Sequence, residues 1–311
     1  MEMLGTRDVY GKTLVELARE NEDIVVLDAD LSESTRTKYF AKEFPHRFFN
    51  MGVAEQDLIG TAVGLALGGK LPFASSFAIF LAGKGWEQIR QSICIPNLNV
   101  KLVATHGGIT VGEDGASHHC TEDFALMRVL PNITVICPAD GVETEKVIRE
   151  IVKRRGPAYV RLARVKFPVV LDRNYQFQLG RSFTLRKGKD LTMIATGIMV
   201  YRCLRAAEEL DKEGISAAVV NMSTLKPIDA PAIVTAARQT GAILTAEEHS
   251  VIGGLGSAVA EVVSQNYPAP MKIIGMGDFF GMSGKAEELM EHFGLTFPFI
   301  AEAARQLVKR K

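Results

Sequence analysis

The 311-residue chain lacks an excess of charge of either sign, with lysine plus arginine and aspartate plus glutamate at 36 each. Nucleic acid and anionic membrane surfaces attract proteins through a large basic surplus, so neither is expected as the main partner. A balanced total still leaves room for a local anion site. Cysteine is scarce: Cys94, Cys120, Cys137 and Cys203 are widely spaced, without a Cys-x-x-Cys pair. Cys94 and Cys137 sit in apolar runs, where a free thiol acts as a small hydrophobe. No eighteen apolar residues follow one another, and the opening MEMLGTRDVYGK has no apolar signal core. A soluble cytoplasmic protein with no membrane span is therefore expected. There is no internal repeat and no low-complexity tract.

What is present is an ordinary globular composition, 47% hydrophobic and 23% charged, in a length that suits two domains of roughly 100–200 residues. Short β-branched runs alternate with longer amphipathic ones, the mark of parallel α/β layers. Strands are expected at 24–28, 47–50, 71–75, 100–106, 133–137 and 158–162. Helices are expected between them at 8–19, 54–67, 80–93, 122–129 and 141–153. The rhythm lapses over 167–189, where Pro168, Gly180 and Gly188 fall. It resumes with strands at 191–195, 217–221, 242–245 and 271–274 and helices at 200–212, 230–238, 255–264, 285–292 and 299–308. The expectation is α/β throughout, as two doubly wound domains: 1–170, a linker 171–189, and a smaller domain 190–311.

Ligands of open parallel sheets gather beyond the carboxyl ends of the strands. In the first domain those positions hold Asp28 and Asp30, Asn50 to Glu55, Ser75 to Phe77, His106, and Arg161 to Arg164. Glu55 falls in a first helical turn, where a carboxylate complements the helix dipole and needs no further role; a sharper role requires it to meet an aromatic heterocycle. Phe77 and Phe80 would share a face if helical, or be plain core aromatics. The segment Thr105-His-Gly-Gly-Ile-Thr-Val-Gly-Glu-Asp-Gly-Ala-Ser-His-His119 is poor core material, and loops of this length are usually functional or disordered. Its glycines let backbone approach a ligand, and its imidazoles can donate to hydroxyl or phosphate oxygens. Thr121 is expected to cap the helix that follows. A metal site from His106, His118, His119 and Cys120 lacks any zinc-type spacing. Arg7, Arg161 and Arg164 are candidates for a phosphate clamp. Gly253-Gly-Leu-Gly256 before a helix could host an anion but reads better as a tight turn.

In combination, DADLSES, MGVAEQ, SFAIFL, THGGITVGEDGASHH and RLAR resemble the transketolase family, over its pyrimidine-binding and C-terminal domains. The resemblance implies a thiamin diphosphate enzyme that moves a two-carbon ketol unit from a ketose phosphate to an aldose phosphate. By that resemblance Glu55 hydrogen-bonds the aminopyrimidine, Phe80 stacks on it with Phe77 close by, and Asp30 lines the cofactor site. Asp114 and His118 bind sugar hydroxyls and act in the chemistry, while His106, Arg7, Ser34 and Arg164 anchor the sugar phosphate. Family members hold the diphosphate through Mg²⁺ or another divalent metal bound by Gly-Asp-Gly and a later Asn. No Gly-Asp-Gly occurs here, so an N-terminal transketolase subunit carrying it is implied as partner, in an α2β2 heterotetramer, and no metal is expected on this chain. Ala54 and Gln56 flank Glu55 where many transketolases have Arg and His, and Gly83 stands where a larger residue is common. These departures keep a 1-deoxyxylulose-5-phosphate synthase-like or 2-oxo-acid dehydrogenase beta-like subunit open, beside a non-catalytic assembly subunit.

Overall fold

A computed structural model describes residues 1–311. Its larger sheet has seven strands in the order Thr224–Lys226, Thr134–Ile136, Ala158–Arg161, Lys101–Thr105, Leu71–Phe77, Ile24–Asp28 and Phe48–Asn50, all parallel except the first. Every residue of Ile24–Asp28 and Leu71–Phe77 is buried. Such strands read as continuous runs, not as alternation, because both sheet faces are covered. Helices Thr6–Glu20 and Gly141–Lys153 close one face, with Tyr10, Leu14, Val147 and Ile148 packed on Ile24, Val26 and Val160. Leu58, Ile59, Leu81 and Ile89 cover the other face over Leu27, Ala74 and Leu102.

The smaller sheet has five strands in the order Met271–Met276, Ile243–Ser250, Leu191–Ala195, Ala217–Asn221 and Phe183–Arg186. The first four are parallel and the last is antiparallel. The mixed α/β architecture is the one expected from the sequence. One apolar cluster bridges the two sheets, with Met222, Leu225, Ile233 and Leu255 packed together with Leu102 and Phe124, while each sheet keeps a further cluster of its own.

Several local expectations are corrected. The stretch 167–189 carries the edge strand Phe183–Arg186, whose partner Ala217–Asn221 lies some way along the chain. Thr224–Lys226 crosses back to pair with Thr134–Ile136; three residues are too few for a periodic signal. The helix expected over 80–93 is a run of π-type windings, Ile79–Lys84 and Ile89–Cys94, around the α-turn Trp86–Gln88. Such windings cluster at functional sites because they re-aim side chains. Thr121 does not cap its helix: Glu122 is the N-cap of Asp123–Arg128, with no side-chain cap bond.

Buried carboxylates tie the two units together. Asp140 caps Gly141–Lys153 through the Glu143 amide at 2.9 Å and accepts Val170 and Leu171 amides at 2.8 Å. Glu143 accepts from Tyr175 Oη at 2.9 Å and Asn221 Nδ2 at 2.9 Å. Hydrogen bonds to charged groups contribute about 1.5–3 kcal/mol each, so these two residues fix how the segment after 169 leaves the first sheet.

Candidate functional site

The site is built on the carboxyl edge of the seven-stranded sheet. Asp28 ends its strand fully buried, and its carboxylate accepts from the Leu31 amide at 2.6 Å, Thr35 Oγ1 at 2.7 Å and Thr37 Oγ1 at 2.9 Å. It thereby folds the 29–37 loop over the edge. Asp30 leaves that turn at φ 61° and His106 leaves its own strand at φ 60°. Left-handed backbone at a non-glycine residue is strained, and it persists where a side chain must be aimed. Asp30 is exposed, its Oδ1 accepting from Asn50 Nδ2 at 3.0 Å.

Glu55 is the first residue of helix Glu55–Leu67 and is only 3% exposed. Its Oε2 accepts from Lys84 Nζ at 3.3 Å, while its Oε1 is buried with no hydrogen-bond partner. Unsatisfied buried acceptors cost about 1–3 kcal/mol, so a donor from outside the chain is the natural complement. Glu55 borders an open cavity of about 470 Å³ lined by Val53, Ala54, Gln56, Asp57 and Lys84. Lys84 Nζ also lies 4.8 Å from the centre of the Phe80 ring, so one ammonium group links the carboxylate to that ring.

Phe80 begins an aromatic row. Its ring stacks with Phe77 at 5.8 Å and 13°, and Phe77 stacks on His106 at 3.8 Å. His118 meets the Phe80 ring edge-on at 5.3 Å, with its Nδ1 3.0 Å from Ser117 Oγ. The helical face assumed for the two phenylalanines does not exist, since Phe77 ends a strand and Phe80 lies in a π-winding, yet the rings do meet.

Beyond His106 the surroundings are cationic. Burial first, then Arg7, Arg164 and Arg36, push the His106 pKa down from 6.5 to about 3, so its imidazole is neutral at physiological pH. Arg7 is likewise shifted down, by burial and then by Arg36, and its Nη1 donates to the Ser34 carbonyl at 2.8 Å. Arg36 is held by Asp8 at 2.6 Å. Arg164 donates to the Val111 carbonyl and lies 3.4 Å from Glu113. Three guanidinium groups around a neutral imidazole make an anion-seeking corner. Asp114 stands apart, exposed on the 3-10 turn Gly112–Asp114, with no side-chain hydrogen bond.

The structure thus brings Phe77, Phe80, His106 and His118 into one row, with Glu55 joined to it through Lys84, Arg7, Ser34 and Arg164 next to it and Asp30 and Asp114 at the rims. Arg161 does not belong to a phosphate clamp. It is buried, 3.3 Å from Asp123 and over the Phe124 ring, and donates to the Glu248 carbonyl at 2.6 Å. Arg36 and Lys84 were missed. Arg36 ends the same acidic-to-hydroxyl loop as Asp30, and Lys84 is a lone charge after an apolar run; either signal could have flagged them. The Gly253–Gly256 segment hosts no external anion, because Glu247 accepts the Leu255 and Gly256 amides at 2.6 and 2.7 Å. No group of three or more His, Cys, Asp or Glu side chains is arranged to hold a metal ion, and no helix is long and apolar enough to cross a membrane. All four cysteines are free and buried.

Two stacked α/β units with an acid–aromatic row on the first sheet's edge define a two-domain module of the transketolase class. The transketolase pyrimidine-binding domain model matches residues 2–169 and the transketolase C-terminal domain model matches 180–300. The chain belongs to the transketolase family. A Methanocaldococcus jannaschii protein described as a transketolase C-terminal section is 50% identical over 310 residues, covering 99% of this chain and 97% of that one. The 6-deoxy-6-sulfo-D-fructose transketolase subunit SqwH of a Clostridium species is 43% identical, covering 98% and 95%. Among solved structures, a split-gene transketolase in an inactive β4 tetramer superposes with a TM-score of 0.92 at 53% identity, covering 98% of this chain and 99% of that one.

Proposed function

We propose that this chain is the C-terminal subunit of a split transketolase, which transfers a two-carbon ketol unit once an N-terminal subunit completes its site. The observation that carries the reading is the buried, unpartnered Glu55 Oε1 at the start of a helix, linked through Lys84 to the Phe80 ring. These residues fit the aminopyrimidine of thiamin diphosphate: an acceptor for a ring N–H and a flat apolar face. When bound, that cofactor supplies the electron sink a ketol transfer requires. The protein side of the reaction is positional. Glu55 accepts a hydrogen bond from the heterocycle and Phe80, with Phe77 behind it, excludes water from its face. Asp30 lines the same edge. His118 and Asp114 hold sugar hydroxyls, and His118 is placed to pass a proton to or from a substrate oxygen. Arg7, Arg164, Ser34 and His106, with Arg36 beside them, draw in the anionic end of the sugar.

The diphosphate and Mg²⁺ are assigned to the partner, which would carry Gly-Asp-Gly, in an α2β2 assembly. The inactive β4 state of the solved split-gene relative supports a chain that needs such a partner. So does helix Glu55–Leu67, which carries no charge from Leu58 onward and leaves Gly60, Gly64 and Leu67 exposed. A helix that is apolar all round is normally covered. One relative is named a 6-deoxy-6-sulfo-D-fructose transketolase subunit, and the cationic corner suits either a phosphate or a sulfonate. The test is reconstitution with the N-terminal subunit, thiamin diphosphate and Mg²⁺. Ketol transfer between sugar phosphates supports the reading, whereas carbon dioxide release from pyruvate with glyceraldehyde 3-phosphate supports a deoxyxylulose-type synthase and sinks it.

A further inference from the structure

The glycine-rich loop that bears His106, Asp114 and His118 has little regular structure of its own: the 3-10 turn Gly112–Asp114 and one bridge, Gly108 to Cys120. Arg164 of the first domain holds its Val111 carbonyl and the Leu162 carbonyl accepts its Gly107 amide at 3.1 Å; further support comes from the smaller sheet's side. Glu248, buried in strand Ile243–Ser250, accepts the Thr110 amide at 2.6 Å. The Ser250 amide donates to the Thr121 carbonyl at 2.8 Å. At Gly115, an added Cβ would fall 2.6 Å from Ser283 Oγ, and at Gly281 it would fall 2.1 Å from His119 Nδ1. The loop and the 281–283 segment therefore fit together only because side chains are missing on both sides.

His119 is the pivot of this fit. It is 4% exposed, its Nε2 lies 3.0 Å from the Gly112 carbonyl, and its Nδ1 has no partner. A carbonyl only accepts, so Nε2 carries the proton and Nδ1 is left as a bare lone pair facing Gly281. The imidazole thus ties the turn bearing Asp114 to residue 119, immediately beside His118, while its other edge rests on the second domain.

We propose that His119 and Glu248 are positioning residues, through which the second domain holds the 107–119 loop so that Asp114 and His118 face the sugar. The inference rests on the ketol-transfer reading for what the loop binds, but not for how the loop is held. A loop held less firmly binds sugar less well while the cofactor wall, built on helix Glu55–Leu67, is untouched.

The test uses His119→Ala, His119→Gln, Gly281→Ala and Glu248→Gln in the full chain and in the complex with the N-terminal subunit. In the isolated chain, His119→Ala and Gly281→Ala should speed amide hydrogen exchange across 108–118 and leave 55–67 as protected as in wild type. In the complex, both should raise the KM for the sugar phosphate about tenfold or more, with a smaller fall in kcat and with thiamin diphosphate affinity near wild type. His119→Gln keeps an N–H donor for the Gly112 carbonyl and should recover part of the loss. Glu248→Gln keeps an acceptor for Thr110 and should be the mildest of the set. Unchanged exchange over 108–118 together with wild-type KM overturns the proposal. So does a uniform loss of protection over both sheets with kcat falling in step, which marks a merely structural role. If His119→Ala does not fold, Gly281→Ala decides. A wild-type complex with no ketol transfer, yet with the local change in exchange, refutes the activity and leaves the loop support standing.

Discussion

Glu55 and Glu247 are both buried carboxylates at the amino end of a helix, and they differ in what meets their oxygens. Glu247 comes from a neighbouring strand, and its two oxygens take the first amides of Leu255–Asn266. It occupies the anion position of that helix itself, and the second sheet's edge is closed. Glu55 is part of its own helix, shares one oxygen with a half-exposed lysine and leaves the other bare beside an open cavity. The contrast separates a carboxylate that builds the fold from one kept for a ligand: burial is common to both, and the missing partner is not.

The largest expected consequence of that difference is in turnover. Glu55→Gln should lower kcat of the reconstituted complex by about 10²–10⁴-fold, the usual worth of a positioned acid–base group, with the melting temperature nearly unchanged. Wild-type turnover in that variant would erase the distinction. Glu247→Ala should do the reverse. By stranding two buried amides it should lower the unfolding free energy in urea by about 2–3 kcal/mol, with near-normal activity per folded molecule. Selective loss of activity with intact stability would place Glu247 in the catalytic machinery instead.

A smaller effect is expected at the aromatic row. His118→Ala should raise the KM for the sugar about tenfold, near the 1.4 kcal/mol of one lost hydrogen bond, while calorimetric binding of thiamin diphosphate to the complex persists. If cofactor binding vanished, His118 would have to be placed on the cofactor.

A further contrast lies in pH dependence, where the two regions should show opposite signs. The His106 pKa lies at about 3, below its ordinary 6.5. The unfolded chain therefore takes up a proton that the folded chain refuses between those values. Its contribution to stability is full above pH 6.5 and is lost as pH falls toward 3. Burial raises the Glu247 pKa from 4.5 to about 7, so its contribution is full below pH 4.5 and is lost as pH rises through 7. Urea midpoints of His106→Gln should fall less steeply on the acid side, and those of Glu247→Gln less steeply between pH 4.5 and 7. Slopes identical to wild type would count against both environments.

The layered fold was legible because alternating β-branched and amphipathic runs are local signals, and strands such as Leu191–Ala195 and Ala217–Asn221 fall where the pattern puts them. Thr224–Lys226 and Phe183–Arg186 were not, since short edge strands are defined by partners remote in sequence. The π-windings around Phe80 carry an ordinary helical composition, and only packing distinguishes them. Within the site, the residues themselves stood out as a set through the family resemblance, but their state did not. Arg161 reads like Arg164 until burial and Asp123 are seen, and nothing local announces that Glu247 closes a helix eight residues ahead.

The most direct test is the rate at which the thiazolium C2 proton of thiamin diphosphate exchanges with deuterium in the reconstituted complex, followed by NMR after acid quench. Fast exchange in wild type that drops to the free-cofactor rate in Glu55→Gln is the expected result. Equal rates in the two proteins would mean that the bare oxygen of Glu55 does not meet the cofactor.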